Sequence, residues 1–190
     1  MKTKLICIGG IPGVGKTTLS YALANKIKVD KVISIDLIKA LIKTFNIDDD
    51  NYLLSTSHEA YKIENLSYID GYYKYSNSLN KQVTKILNNL TNEKIIIIEG
   101  VSINDLFIDN LDLNKFDYFY INIMANHNEL KKRYENKNKI RKGNWLNNIN
   151  IIFEIDNELK KNKKGINIEN NKLYDCLKEM EKLIYENICL

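Results

Sequence analysis

Arginine is almost missing from this chain. Of its 28 basic residues only Arg133 and Arg141 are arginine, so chemistry that needs a bidentate guanidinium fork has two candidates. Proline occurs once, at Pro12, which excludes a proline-rich linker. The three cysteines, Cys7, Cys176 and Cys189, are odd in number and follow no CxxC or similar spacing. Neither a disulfide framework nor a zinc site is indicated. Cys7 lies in an apolar run and reads as a core residue. Long apolar runs are missing too: none approaches the ~18 residues of a membrane span. The first, Leu5–Ile8, is too short for a secretory signal and leads straight into glycines. A cytoplasmic protein with no membrane partner is the expectation.

What is present is ordinary in amount. A chain of 190 residues with 44% hydrophobic and 27% charged residues fits one domain, expected over residues 1–190. The net charge of +4 favours anionic partners, yet the lysines are spread along the chain and form no nucleic-acid tract. Short β-rich runs alternate with helical segments. Strands are expected at Leu5–Ile8, Val32–Ile35, Ile95–Ile98, Tyr118–Ile123 and Gly165–Ile168. Helices are expected at Lys16–Ile27, Leu37–Phe45, most of 58–90, and Leu173–Ile188. This alternation predicts a three-layer α/β fold, a five-stranded parallel sheet flanked by helices. Ligands of such sheets bind beyond the carboxyl ends of the strands.

The glycines cluster at one such end. Four of the eight lie between Gly9 and Gly15, and the segment Gly10 to Thr17 matches G-x-x-x-x-G-K-[ST] in full. Between a strand and a helix, this is the pattern of a phosphate-binding P-loop. Gly10, Gly13, Val14 and Gly15 would turn backbone N–H groups inward as an anion nest, with Lys16, Thr17 and Thr18 opening the helix. Lys16 would meet the β- and γ-phosphates of ATP, and the Thr17 hydroxyl would bind Mg²⁺.

Two carboxylates follow strands. Asp36 starts a helix after Val32–Ile35, where it either caps that helix or accepts a proton from an acceptor hydroxyl. Glu99 follows the four isoleucines and precedes Gly100, as a water-mediated Mg²⁺ ligand or as a solvated strand end. Beyond the fourth strand, ELKKRYENKNKIRK (129–142) holds seven basic residues against two glutamates, with both arginines. It reads as a solvated helix and loop, or as a helical lid over about 127–145. In the second case Arg133 and Arg141 would clamp the transferring phosphate.

The acceptor is expected in a helical insert at about 48–90. There the sequence resembles the archaeal-type 2-phosphoglycerate kinase family. The resemblance rests on GIPGVGKTTLSYALA (10–24), VISIDLIKALIK (32–43), LLSTSHEAY (53–61), IDGYYK (69–74) and IIIIEGV (95–101). It covers residues 4 to 102 and thins beyond the fourth strand. It implies transfer from ATP to the 3-hydroxyl of 2-phosphoglycerate, giving 2,3-bisphosphoglycerate. Lys16, Thr17, Asp36, Ser57, His58 and Glu59 would then form the site. Lys39 and Lys43 stand where the family usually has arginine, and would hold the anionic acceptor as point charges. Members of that family often carry a further N-terminal domain. Two other readings remain: a nucleoside, nucleotide or polynucleotide 5′-hydroxyl kinase, and a P-loop ATPase switch. A pure nucleic-acid module is least favoured, because it leaves the glycine loop unexplained and no aromatic stacking motif stands out. The chain is expected to be a monomer or a homodimer.

Overall fold

Four isoleucines in a row need cover on both faces, and that is where the fold puts them: Ile96, Ile97 and Ile98 are fully buried. The computed structural model describes residues 2–45, 47, 49–90, 92–140 and 146–188, with the side chains of 137–140 left aside. Five strands form one sheet: β1 (Thr3–Gly9), β2 (Lys31–Ser34), β3 (Ile95–Glu99), β4 (Phe116–Met124) and β5 (Ile166–Glu169). Their order is β2-β3-β1-β4-β5, and every pair is parallel. Parallel neighbours demand crossovers, which the helices supply. These are α1 (Lys16–Ile27), α2 (Ile35–Phe45), α3 (Asn51–Leu54), α4 (Tyr68–Leu87), α5 (Asp105–Asp109), α6 (His127–Ile140), α7 (Ile149–Leu159) and α8 (Leu173–Ile188). None is long and apolar enough to cross a membrane.

The register brings three strand ends to one level: Glu99 of β3 lies between Ile8 of β1 and Ser34 of β2. The edge strand β2 is only four residues long and is held at its far end by Asp30. Its carboxylate accepts the N–H groups of Lys94 and Ile95 at 2.8 and 2.8 Å, and its own N–H donates to Ile95 O at 3.0 Å. Those two N–H groups hold the Asp30 carboxyl below the usual carboxylate range.

Three local expectations are revised. The second strand stops at Ser34, because Ile35 is already helical and packs on Gly100, where a Cβ would come within 2.7 Å of the Ile35 Cβ. The expected helix over 58–90 is broken: a single 3₁₀ turn covers Ala60–Lys62, and Asn65 takes a left-handed φ of 53°. Ser67 then caps α4, its Oγ accepting the Asp70 N–H at 3.1 Å and donating to the Asp70 carboxylate at 2.6 Å. Helices α5 and α7 lie outside the expected set. The first has five residues, too few to show a period, whereas α7 buries Ile151, Ile152, Ile155 and Leu159 at readable helical spacing. Cys7 is buried in the core as expected, and burial pushes its thiol pKa up.

Candidate active site

The loop between β1 and α1 is shaped by two glycines that no other residue could replace in place. Gly10 has φ 129°, and a Cβ there would sit 2.2 Å from the Ile123 carbonyl oxygen. Gly15 has φ 99° and forms the left-handed N-cap of α1, with the Asn170 amide where its Cβ would be. Leu19 N–H closes the first helical bond to Gly15 O at 3.0 Å, so the N–H groups before it are ones a helix start leaves for an anion. The buried Lys16 ammonium reaches back to Ile11 O at 3.0 Å. Val14 is buried in the core and serves the loop through its backbone.

A cavity of about 600 Å³ opens over this loop. It is lined by Pro12, Gly13 and Gly15 to Thr18 of the loop, by Asp36, Glu99 and Arg133, and by Asn170 and Leu173. The Thr17 hydroxyl donates to Glu99 Oε1 at 3.1 Å, and Glu99 is only 2% exposed. A buried carboxylate and a hydroxyl beside an anion nest suit a hard cation that keeps most of its ligands from water and phosphate. Among the described residues no group of three or more His, Cys, Asp or Glu could hold a metal by itself. The donor set therefore fits Mg²⁺ better than a cage-bound ion. Asp36 is in the first turn of α2, exposed, at the level set by Ser34 and Glu99.

Arg133 lies on the same cavity, but its donors go to protein carbonyls. Nη1 reaches Gly13 O at 3.5 Å and Val14 O at 3.3 Å, and Nη2 donates to Asn170 O at 2.7 Å. The next residue, Tyr134, is buried and donates to Pro12 O. The helix expected as a lid is thus bonded to the carbonyls of the phosphate loop through consecutive residues. Arg141 lies outside the described residues. Asn170 is the residue that sequence reasoning missed. Its side-chain N–H donates to Val14 O at 2.7 Å, and its backbone N–H to Met124 O at 2.8 Å. The signal was available, since Asn170 directly follows the last strand.

The expected acceptor residues form an adjoining cluster and do not line the loop cavity. Lys39 and Lys43 follow Asp36 on α2. Lys39 donates to Ser55 O and lies 3.4 Å from the Tyr75 hydroxyl, with its ammonium 4.6 Å from the ring centroid. Burial, and then the charge of Lys43, lower its pKa to about 8, with Asp36 opposing. Lys43 donates to Leu54 O at 2.5 Å. Ser57 and His58 are buried. Burial holds His58 below the usual imidazole pKa, aided by Lys62 and Lys39 and opposed by Glu59. Glu59 accepts from Thr56 Oγ1 at 2.9 Å and pairs with Lys62 at 3.2 Å, which marks it as the brace of this turn.

The chain is 25% identical over 128 residues to mevalonate-3-phosphate 5-kinase of Thermoplasma acidophilum, covering 65% of this chain and 63% of that protein. It is 26% identical over 134 residues to 2-phosphoglycerate kinase of Methanocaldococcus jannaschii, covering 67% and 43%. The chain thus spans less than two thirds of either relative. Its fold is that of shikimate kinase from Bacteroides thetaiotaomicron, with a TM-score of 0.54, 15% identity and 99% of both chains covered. Gluconokinase from Sinorhizobium meliloti matches with a TM-score of 0.56, 11% identity and 96% of both chains. The AAA domain family model matches residues 6–151, more than half of the sequence, and the chain belongs to that family.

Proposed function

We propose that this protein is an ATP-dependent kinase that transfers the γ-phosphate to a hydroxyl of a small, phosphate-bearing acceptor, with 2-phosphoglycerate as the first candidate. The observation that carries this reading is one cavity holding the phosphate loop, the Thr17–Glu99 pair and Asp36, with Lys39 and Lys43 beyond it on the same helix. Both relatives bear names that denote phosphorylated acceptors, which accords with a lysine-lined cluster.

In this reading loop N–H groups hold the phosphates, and Lys16 exchanges Ile11 O for a phosphate oxygen. Bound Mg²⁺, held through Thr17 and Glu99, would neutralise charge on the β- and γ-phosphates. Asp36 orients the acceptor hydroxyl and accepts its proton as the new O–P bond forms and the bond to the β–γ bridging oxygen breaks. Arg133 and Asn170 act by positioning: they draw the Gly13 and Val14 carbonyls outward, so that the loop's N–H groups turn in. Arg133→Ala is accordingly expected to raise the KM for ATP and to lower stability by about 1–3 kcal/mol. Its kcat should fall less than about tenfold. Thermal unfolding with steady-state kinetics checks this, and a loss confined to kcat would return Arg133 to a direct clamp.

Lys39 makes acceptor binding depend on pH. Its free-enzyme pKa is lowered to about 8, so the ammonium that attracts an anion is lost as pH rises through 8. The acceptor KM should rise severalfold between pH 7 and about 9.5 while the KM for ATP stays nearly level. Lys39→Arg, which stays charged, should flatten the profile. The primary test is ATP turnover against phosphoglycerates, mevalonate 3-phosphate, nucleosides, nucleotides and 5′-hydroxyl oligonucleotides. Turnover with nucleosides or oligonucleotides alone would replace the acceptor assignment. ATP hydrolysis that no acceptor stimulates would point to a switch.

A further inference from the structure

Helix α2 carries two apolar rows, and among the described residues only one of them is buried. Ile35, Ile38 and Ile42 are buried in the core. Leu37, Leu41 and Phe45 repeat at four-residue spacing on another face and are 61%, 45% and 68% exposed, with Ile47 just beyond at 61%. Beside this row stand Ala40 and Thr44, also exposed and uncharged. The two lysines of the helix are turned away, to the carbonyls of Ser55 and Leu54. In a chain with 27% charged residues, a helix face of three turns formed by Leu37, Ala40, Leu41, Thr44 and Phe45 without a charge is unusual, with the exposed Asp36 and Lys43 at its margin.

From this we infer that the outer face of α2 is the contact surface of a two-fold dimer, its occupant the same face of a second copy. The four apolar side chains leave on the order of 400 Å² in water, the upper range for a monomer's largest patch. Two copies with their rims would cover on the order of 1,000 Å², the lower bound for specific association. Leu37, Ala40, Leu41, Thr44 and Phe45 themselves carry no charge that would select an acidic or basic peptide, or a nucleic acid. The face is also complementary to itself. An antiparallel copy related by an axis at Leu41 sets each Leu37 against the other copy's Phe45. Large side chains then meet the hollows over Ala40 and Thr44, and the helix dipoles oppose. An interface at the lower bound of area is expected to be weak, with a dissociation constant in the roughly micromolar range. Asp36 and Lys39 point to other sectors of the helix, so the contact leaves the proposed acceptor site open. It does not depend on the kinase reading.

Sedimentation velocity of the full chain across about 1–200 µM brackets that constant. The wild type is expected to pass from monomer to dimer. Leu37→Glu and Phe45→Lys should each stay monomeric, because each sets an unpaired charge against an apolar group twice per dimer. Mixed in equal amounts, the two variants should associate, since position 37 of one faces position 45 of the other. Should either variant lose helical ellipticity, Leu41→Cys replaces it: cysteines on the axis should cross-link under mild oxidation, with the wild type as control. A wild type that stays monomeric throughout overturns the inference. So do single variants that dimerise as well as the wild type, folded variants that stay apart when mixed, or a Leu41→Cys protein that does not cross-link. Binding of the wild type to phosphatidylcholine–phosphatidylserine vesicles without self-association would also overturn it, in favour of a lipid surface.

Discussion

Replacing Lys16 by alanine is expected to lower kcat by about a thousandfold or more while the protein still folds. In the proposed reaction the ammonium sits beside the loop that would hold the phosphates, and in the structure it donates to Ile11 O. During transfer, charge builds on the oxygens between the β- and γ-phosphates, and a fixed cation there stabilises the transition state more than the ground state. ATP affinity should therefore fall much less than kcat. Folding should be retained, because the apolar core of α1 is supplied by Leu19, Leu23 and Ile27, which the substitution does not touch. Single-turnover transfer from radiolabelled ATP, with thermal unfolding as control, separates the two effects. A folded variant with wild-type turnover on every acceptor would sink the assignment of the loop.

Asp36→Asn is the second large loss, about 10²–10⁴-fold in kcat, because the amide keeps the shape of the carboxylate but cannot take a proton. The KM for ATP should move less than about threefold, since the helix of Asp36 is anchored in the core through Ile35, Ile38 and Ile42. The same substitution removes a negative charge near Lys39, which opposes the lowering of that lysine's pKa. A further downward shift in the pH at which acceptor binding weakens should accompany the rate loss. Equal losses in ATP and acceptor binding would instead make Asp36 a metal ligand or a cap.

The parts of this site that were legible in the sequence are those encoded locally. Gly10 to Thr17 declares itself because an anion nest needs glycine at particular φ values and a lysine at the helix start. Asp36 and Glu99 stood out because each follows a β-branched run, and the structure places both on the loop cavity. What Arg133 does was not legible. Its scarcity marked it, but scarcity cannot say whether a guanidinium faces a ligand or the carbonyls of Gly13, Val14 and Asn170. The path of 51–67 was also hidden, because it turns on a cap at Ser67 and a left-handed Asn65 instead of a period. With that path unknown, the carbonyls of Leu54 and Ser55 could not be matched to Lys43 and Lys39.

The clamp at Asp30 gives the sheet something like a gauge block. Strand β2 is an edge with a single neighbour, and four residues of pairing are few to resist a slip. A shift by one residue would carry Asp36 about 3.3 Å along the strand axis, farther than a hydrogen bond is long. The bonds from Lys94 and Ile95 to the Asp30 carboxylate index the strand at the end of the sheet remote from the chemistry. An exposed carboxylate that no substrate touches thereby sets the reach of the proposed base at the opposite end.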